Sequence, residues 1–189
     1  MSMMPALFYL VTIIWIGSEA FNSIRLFARD TAVQKDSGTF ILIWVVVIVS
    51  VTLAFLSPLM EIPQIIPHPE VSTSTGMVLI VLGVVIRRRA ITTLGKFFTM
   101  NVVIREDHRL CRDGIYRYLR HPAYTGMIIA FLGVGIGVGN WLSLFVPVVP
   151  VTVTLLHRIK LEERALTEAF GEDFVDYKKK VKCLFPFIY

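Results

Sequence analysis

The hydrophobic positions of this chain come in long runs rather than in alternation, which is typical of helices buried in lipid. Long runs cover about residues 5–24, 39–60 and 74–94, and two shorter runs cover 122–138 and 141–157. A membrane-spanning helix needs about 20 apolar residues, so the two shorter runs are expected to pack as a hairpin. Gly139 and Asn140 supply its turn. The pattern predicts an all-α integral membrane protein with about five transmembrane helices.

Composition supports this class. Apolar residues make up 55% of the 189 positions, and the mean hydropathy is +0.68, which exceeds that of an average soluble domain. The first run lacks a basic leader and a small-x-small cleavage site, so it is interpreted as a span and not as a signal peptide. Glu19 lies inside it, and an intramembrane carboxylate is a functional candidate. The simpler interpretation is that Glu19 pairs with Arg25 or reaches water.

Positive charge predicts the orientation. All 19 Lys and Arg residues fall in the first connection with its flank, in residues 87–120, or in the tail from residue 158 onward. By the positive-inside rule these three places are cytoplasmic and the N-terminus is outside. The net charge of +5 belongs to that face, where the run Lys178–Lys180 favours contact with anionic membrane lipids over nucleic acid.

Metal chemistry is not expected. The two cysteines, Cys111 and Cys183, are predicted on the reducing side, and no Cys or His spacing suits a metal ion. The glycine-rich stretch at 133–139 ends a predicted membrane helix and offers small-xxx-small pairs, Gly133 with Gly137 and Gly135 with Gly139. Such pairs favour helix packing over nucleotide binding.

Two polar clusters flank the hairpin and can meet at one of its ends, and they carry the candidate chemistry. The first is the run from Arg120 to Gly126, which follows a polar connection at about 95–119. The second is on a helical extension of the fifth span, which is predicted to end at Gly171. There, Arg158 and Glu162 are four residues apart, so they share one helix face and can present opposite charges to one cavity. A weak surface ion pair is the alternative.

At this point the residues resemble a family, the isoprenylcysteine carboxyl methyltransferases. The resemblance covers about residues 94–186, which would form the methyltransferase core of a single membrane domain spanning 1–189. Its motifs are Leu-Gly-x-Phe-Phe from Leu94, His-x-Leu then Gly-x-Tyr from His108, Arg-His-Pro-x-Tyr-x-Gly from Arg120, and Glu-Glu-x-x-Leu-x-x-x-Phe-Gly-x-x-Phe-x-x-Tyr from Glu162. Their order and spacing are specific together, whereas the N-terminal spans in residues 1–73 carry no signature.

The resemblance implies S-adenosylmethionine as cofactor and S-adenosylhomocysteine as product, held by a cytoplasmic loop and a C-terminal helix rather than by a Rossmann fold. Carried over by motif position, the cofactor-binding residues are Asn101, His108, Arg109, Leu110, Cys111, Tyr116, His121, Pro122, Ala123, Tyr124 and Glu162. Arg158 would address the substrate carboxylate, and Arg120, the second catalytic candidate, would support the same pocket. The implied reaction is methylation of a prenylated cysteine, or a similar lipophilic carboxylate, at the membrane–cytosol interface.

The chemistry suits these residue types, because a C-terminal carboxyl group with a pKa of about 3.3–3.7 is ionised at neutral pH and needs no general base. Three alternatives remain. The motifs are also similar to phospholipid N-methyltransferases, although an amine acceptor favours an anionic pocket over one containing Arg158. They are more loosely similar to sterol reductases that use NADPH, which would be expected to have more spans. A non-enzymatic membrane scaffold would leave both polar clusters unexplained.

Overall fold

The described part of the chain is helical. The computed structural model describes residues 4–29, 38–98 and 109–185, where turns, short 3-10 helices and two isolated β-bridges accompany six α-helices. The helices are α1 (Met4–Arg29), α2 (Gly38–Leu56), α3 (Pro69–Leu94), α4 (Pro122–Val138), α5 (Trp141–Phe170) and α6 (Glu172–Lys180). Four of them, α1, α2, α3 and α5, are long and apolar enough to cross a membrane, and α4 is a shorter apolar helix. The expected set of about five apolar helices is confirmed.

The hairpin between α4 and α5 turns where the sequence predicts. Gly139 has a φ of 101°, a left-handed conformation that glycine adopts without strain. Asn140 then caps α5, accepting at Oδ1 a hydrogen bond of 2.8 Å from the backbone N–H of Ser143. The Asn140 amide also donates to Ser57 Oγ at 2.8 Å, so the hairpin turn is fixed to the end of α2.

Helix α5 extends well past the predicted span. It continues without a break from Trp141 to Phe170 and ends before Gly171, whose φ is 53°. The predicted helical extension and its glycine terminus are therefore confirmed. The extension carries the second polar cluster away from the apolar part of the bundle while keeping it in a fixed helical register.

Helices α3 and α4 approach so closely that their backbones touch. A Cβ added at Gly83 would lie 2.4 Å from the carbonyl oxygen of Gly126, and one added at Gly133 would lie 2.6 Å from that of Gly76. The glycine-rich stretch thus serves helix packing, as its small-xxx-small spacing predicts. This seam brings the last turns of α3 beside the start of α4, where the first polar cluster begins.

The segment after α6 returns to the start of α4. The backbone N–H of Arg120 donates to the carbonyl of Lys182 at 2.8 Å, and that of His121 donates to Cys183 at 3.1 Å. Thr125 Oγ1 adds a hydrogen bond of 2.6 Å to the carbonyl of Leu184. These contacts hold α6 and the following segment against the polar end of the bundle, opposite the Gly139–Asn140 turn.

Candidate active site

The two polar clusters meet at Glu162. Tyr124, in the first turn of α4, donates its hydroxyl to Glu162 Oε1, and Arg158 Nε donates to the same oxygen at 3.1 Å. His121 Nδ1 lies 3.5 Å from Glu162 Oε2. One carboxylate on α5 therefore joins three residues from both predicted clusters. The sequence prediction that these clusters meet at one end of the hairpin is confirmed.

The Arg158–Glu162 pair is not a surface ion pair. The Arg158 side chain is 3% exposed and that of Glu162 is 22% exposed. Burying two charges is costly unless their remaining donors and acceptors are also satisfied, and the Tyr124 hydroxyl helps to do this for Glu162. The alternative of a weak, solvated pair is therefore wrong, and the pair belongs to a buried network.

A second network surrounds Glu163. Arg120 binds Glu163 Oε1 through Nε at 2.9 Å and Nη2 at 2.8 Å, and Lys178 Nζ lies 2.5 Å from Glu163 Oε2. Arg120 also donates to the backbone carbonyls of Lys178, at 3.3 Å, and Val181. The guanidinium thus fastens α6 and the following residues to α5. Arg120 lies beside the site and supports it through Glu163.

His121 connects the two networks. Its Nδ1 faces Glu162, and its Nε2 lies 3.3 Å from Glu163 Oε1. Burial alone lowers the pKa of His121, but the hydrogen bonds to both carboxylates outweigh burial and raise that pKa above its ordinary value. Ionised carboxylates only accept hydrogen bonds, so an imidazolium with two N–H donors satisfies both of them.

Three buried side chains have the residue types and spacing of a metal-ligand set, and they also take part in the ion-pair network. The ligand atoms of His121, Glu163 and Cys183 lie within 4.8 Å of one another. Glu163 is already neutralised by two cationic side chains, Arg120 and Lys178. Burial raises the pKa of the Cys183 thiol to about 11, so in the absence of a metal ion this thiol stays protonated at neutral pH. This group is better explained as part of an ion-pair network.

The predicted cofactor residues N-terminal to α4 are divided between two apolar clusters. Tyr116 is buried with Ala123, and Cys111 packs against them, whereas Leu110 packs beside Phe174 of α6. The Tyr116 carbonyl accepts a hydrogen bond of 2.6 Å from the Tyr177 hydroxyl.

Burial raises the pKa of both tyrosines, Tyr116 and Tyr177, so they remain neutral. Of the other predicted cofactor residues, Arg109 is exposed and Pro122 is buried as the first residue of α4. Asn101 and His108 lie outside the described residues. Tyr116, Cys111 and Ala123 thus lie together. Ala123 directly precedes Tyr124 in α4, so this cluster adjoins the Glu162 network.

An apolar cleft ends at this site. The space between its lining atoms is about 670 Å³ when the open solvent at its mouth is included. Residues of α1, α2, α3, α4 and α5 line it, so the cleft lies among these five helices. Its apolar lining consists of Trp15, Ile16, Phe40, Ile43, Trp44, Val47, Phe98, Met127, Phe131 and Leu155, and its polar lining consists of Glu19, Ser23, Arg87, Tyr124 and Arg158.

Arg87 is a site residue that the sequence analysis missed. Its Nε donates to Glu19 Oε2 at 2.8 Å, which corrects the interpretation of Glu19 as a partner of Arg25. Arg25 instead lies over the ring of Phe21, 5.4 Å from its centroid. The position of Arg87 in the helical repeat of α3 could have indicated that it is buried. Arg87 follows Gly83 by four residues on the α3 face that packs against α4, whereas the next two arginines are exposed.

Comparison with known proteins identifies the family to which this chain is similar. Residues 71–173 match the model of the phospholipid methyltransferase family, which begins earlier than the motif resemblance at residue 94. Protein-S-isoprenylcysteine O-methyltransferase B of Arabidopsis thaliana is 33% identical over 138 residues, covering 72% of this chain and 70% of the relative. A probable protein-S-isoprenylcysteine O-methyltransferase of Oryza sativa subsp. japonica is 30% identical over 187 residues, covering 96% of this chain and 95% of the relative.

The fold has a counterpart among solved structures. A eukaryotic intramembrane Ras methyltransferase, an isoprenylcysteine carboxyl methyltransferase, superposes with a TM-score of 0.69 at 24% identity. The match covers 95% of this chain and 65% of that one. The chain therefore belongs to the phospholipid methyltransferase family, among the isoprenylcysteine carboxyl methyltransferases.

Proposed function

We propose that this protein transfers a methyl group from S-adenosylmethionine to the carboxylate of a prenylated cysteine, or of a similar lipophilic acid, at the interface of membrane and cytosol. The observation that carries this proposal is the buried Arg158–Glu162–Tyr124 network at the polar end of an apolar cleft. An acceptor with an isoprenoid chain and a terminal carboxylate matches both the apolar cleft and the polar network at its end. Its chain would lie in the cleft, and its carboxylate would meet Arg158.

The residues present fit the proposed cofactor. S-adenosylmethionine carries a sulfonium and an ammonium group, and Glu162 offers a carboxylate that keeps 22% of its surface exposed at the site. His121 and Tyr124 hold that carboxylate, and Tyr116 and Cys111 provide an apolar wall beside Ala123. When bound, the cofactor supplies a methyl carbon on positively charged sulfur, so a C–O bond to the acceptor forms as the C–S bond breaks and its electron pair stays on sulfur.

The chain's own residues have three tasks in this reaction. Arg158 binds and orients the acceptor carboxylate, which is already ionised and needs no base. The apolar cleft excludes water around it, which strengthens its interactions with the fixed donors. Glu162 balances the charge of Arg158, so that the acceptor oxygen is held in position without being strongly neutralised. Arg120 supports this arrangement through Glu163 and His121.

One assay separates the candidate functions. Purified protein in detergent micelles is incubated with labelled S-adenosylmethionine and either N-acetyl-S-farnesylcysteine or phosphatidylethanolamine. The proposal expects base-labile label on the farnesylcysteine, as in a methyl ester. The family model's own description favours phospholipid N-methylation as the second candidate, which would give base-stable label on the lipid. Label on neither acceptor, with no binding of S-adenosylhomocysteine, would favour a scaffold.

In the proposed orientation the site faces the cytosol and the N-terminus is outside. We further propose that residues 94–186 form the methyltransferase core and residues 1–73 the N-terminal spans. Gln64 and Asn140 form a bridge at one end of the bundle, and the Glu162 network lies at the other. Single cysteines introduced into a background lacking Cys111 and Cys183 test the orientation. Gln64→Cys, at an exposed position, should react with an impermeant maleimide from outside, and Asp113→Cys, which is also exposed, only from the cytosol. Asn140 is buried and does not suit this test. Reversed labelling would contradict this orientation.

A further inference from the structure

Helix α1 contributes a polar stripe to the cleft. Trp15, Glu19 and Ser23 follow each other at intervals of four residues and all line the cleft. The Trp15 side chain is 7% exposed, and its Nε1 has no hydrogen-bond partner within the described part of the chain. The family match begins only at residue 71. The stripe therefore lies on a helix outside the region that the family model matches.

Glu19 connects this stripe to the proposed cofactor site. Its carboxylate accepts a hydrogen bond of 2.8 Å from Arg87 Nε, and the two side chains are 18% and 5% exposed, respectively. Arg87 Nη1 in turn donates to the carbonyl of Ala123 at 3.4 Å. Two edges of the guanidinium are thus fixed, one by α1 and one by the first turn of α4 next to Tyr124.

The location of this ion pair indicates more than a structural tie. Charges within a membrane helix are expensive and commonly mark a substrate path or binding site. Helices α1 and α3 already pack together, and the ion pair lines the same cleft as Arg158. The fixed Arg87 guanidinium therefore borders the space that is proposed to receive the acceptor carboxylate.

Building on the proposed function, we propose that Glu19 is a positioning residue that holds Arg87 so that Arg87 and Arg158 together bind the acceptor carboxylate. Arg87 would contact the acceptor, and Glu19 would act only through Arg87. Because Arg87 also contacts Ala123, the acceptor would be aligned with the segment proposed to hold the cofactor. Alignment of this kind contributes to the rate of group transfer. The first helix, which lacks a family signature, would then take part in catalysis.

Three variants test the role of Glu19. Glu19→Ala removes the acceptor of the Arg87 hydrogen bond, so kcat on N-acetyl-S-farnesylcysteine should fall at least about tenfold, with S-adenosylhomocysteine affinity unchanged. Glu19→Gln keeps an oxygen that accepts from Arg87 Nε but loses the charge that balances Arg87, so it should recover only part of the lost kcat. Ser18→Ala, an exposed neighbour on the same helix, is the matched control and should retain wild-type kcat.

The decisive variant exchanges the two charges, Glu19→Arg with Arg87→Glu. It keeps an ion pair between α1 and α3 but loses the donor to the Ala123 carbonyl, so the thermal midpoint in detergent should fall by less than that of Glu19→Ala. It moves the guanidinium from α3 to α1, away from the position proposed to contact the acceptor, so turnover should stay as low as in Glu19→Ala. If the exchange restores turnover, the pair is only a structural tie and the proposal is overturned.

The outcomes for this proposal and for the proposed function are distinct. A wild-type protein that labels no farnesylcysteine overturns the function and this inference with it. A wild type that labels farnesylcysteine, with Glu19→Ala at the same kcat, overturns the role of Glu19 alone. If Glu19→Ala does not fold, the charge-exchanged protein decides, because it retains the ion pair.

Discussion

Replacing Arg158 tests the proposed acceptor contact most directly. In Arg158→Ala the hydrogen bond from Nε to Glu162 is lost, and the guanidinium proposed to orient the acceptor is gone. Glu162 keeps Tyr124 and His121 as partners, so its carboxylate should stay in place. The expected result is a large loss of turnover, with affinity for S-adenosylhomocysteine within a few-fold of the wild type.

The magnitude follows from burial. The Arg158 side chain is 3% exposed, so solvent hardly screens its interactions. Truncating one partner of a buried charge pair costs about 2–5 kcal/mol. At about 1.4 kcal/mol per tenfold change in rate, this corresponds to a fall of about 30- to 5,000-fold in kcat/KM. Arg158→Lys keeps the charge but loses the planar fork, so it should recover only part of the rate.

The assay combines initial rates on N-acetyl-S-farnesylcysteine with calorimetric titration of S-adenosylhomocysteine. Arg164→Ala is the matched control, because Arg164 is an exposed arginine on the same helix. It should retain wild-type turnover. An Arg158→Ala protein that methylates at the wild-type rate would refute the reasoning. So would one that is inactive simply because it no longer binds S-adenosylhomocysteine, since Arg158 would then serve the cofactor and not the acceptor.

Three further predictions follow from the networks and the helix seam. Glu162→Ala should weaken S-adenosylhomocysteine binding in calorimetry at least about tenfold, or about 1.4 kcal/mol, and unchanged affinity would remove Glu162 from the pocket. The raised pKa of His121 means that its stabilisation is fully present below its unfolded pKa of about 6.5 and is lost as pH rises through the folded pKa. The thermal midpoint of the wild type should therefore fall as the pH rises through this range, and that of His121→Gln should fall less. The same pH dependence of the midpoint in both proteins would contradict this. Gly83→Ala would place its Cβ 2.4 Å from a backbone oxygen of α4, so it should cost about 1–3 kcal/mol, whereas Gly17→Ala, which meets nothing within 4 Å, should not. Equal thermal midpoints for the two would refute the close seam.

Features governed by local chemistry were predictable from the sequence. Apolar run length predicted the helices, and turn chemistry predicted the hairpin at Gly139 and Asn140. The helical repeat placed Arg158 and Glu162 on one face of α5, which was correct. Their burial was not predictable from spacing alone. It depends on Tyr124 and His121 arriving from α4 and its N-terminal flank, which only the packing of the hairpin determines.

Features that join distant segments were not predictable. Glu19 and Arg87 are 68 residues apart, and a local interpretation paired Glu19 with the nearest cation, Arg25. The partner choice depends on α1 lying against α3, for which the apolar runs carry no signal. The contact of the C-terminal segment with Arg120 was missed for a related reason. It is made through backbone groups, which leave no pattern in the side chains.

The arrangement of the charges would allow the proposed arginines to bind the acceptor carboxylate while leaving its oxygen reactive. In methyl transfer from a sulfonium, the negative charge of the acceptor carboxylate disappears as the new bond forms. A free arginine would therefore stabilise the ground state more than the transition state, which does not accelerate the reaction. At this site each arginine on the cleft has its own carboxylate, Glu162 for Arg158 and Glu19 for Arg87. Each pair has no net charge, so it offers oriented N–H donors rather than a strong positive field. A pocket of this kind would fix the direction of attack while leaving the carboxylate oxygen reactive, and both glutamates would then matter for the rate as much as the arginines that they hold.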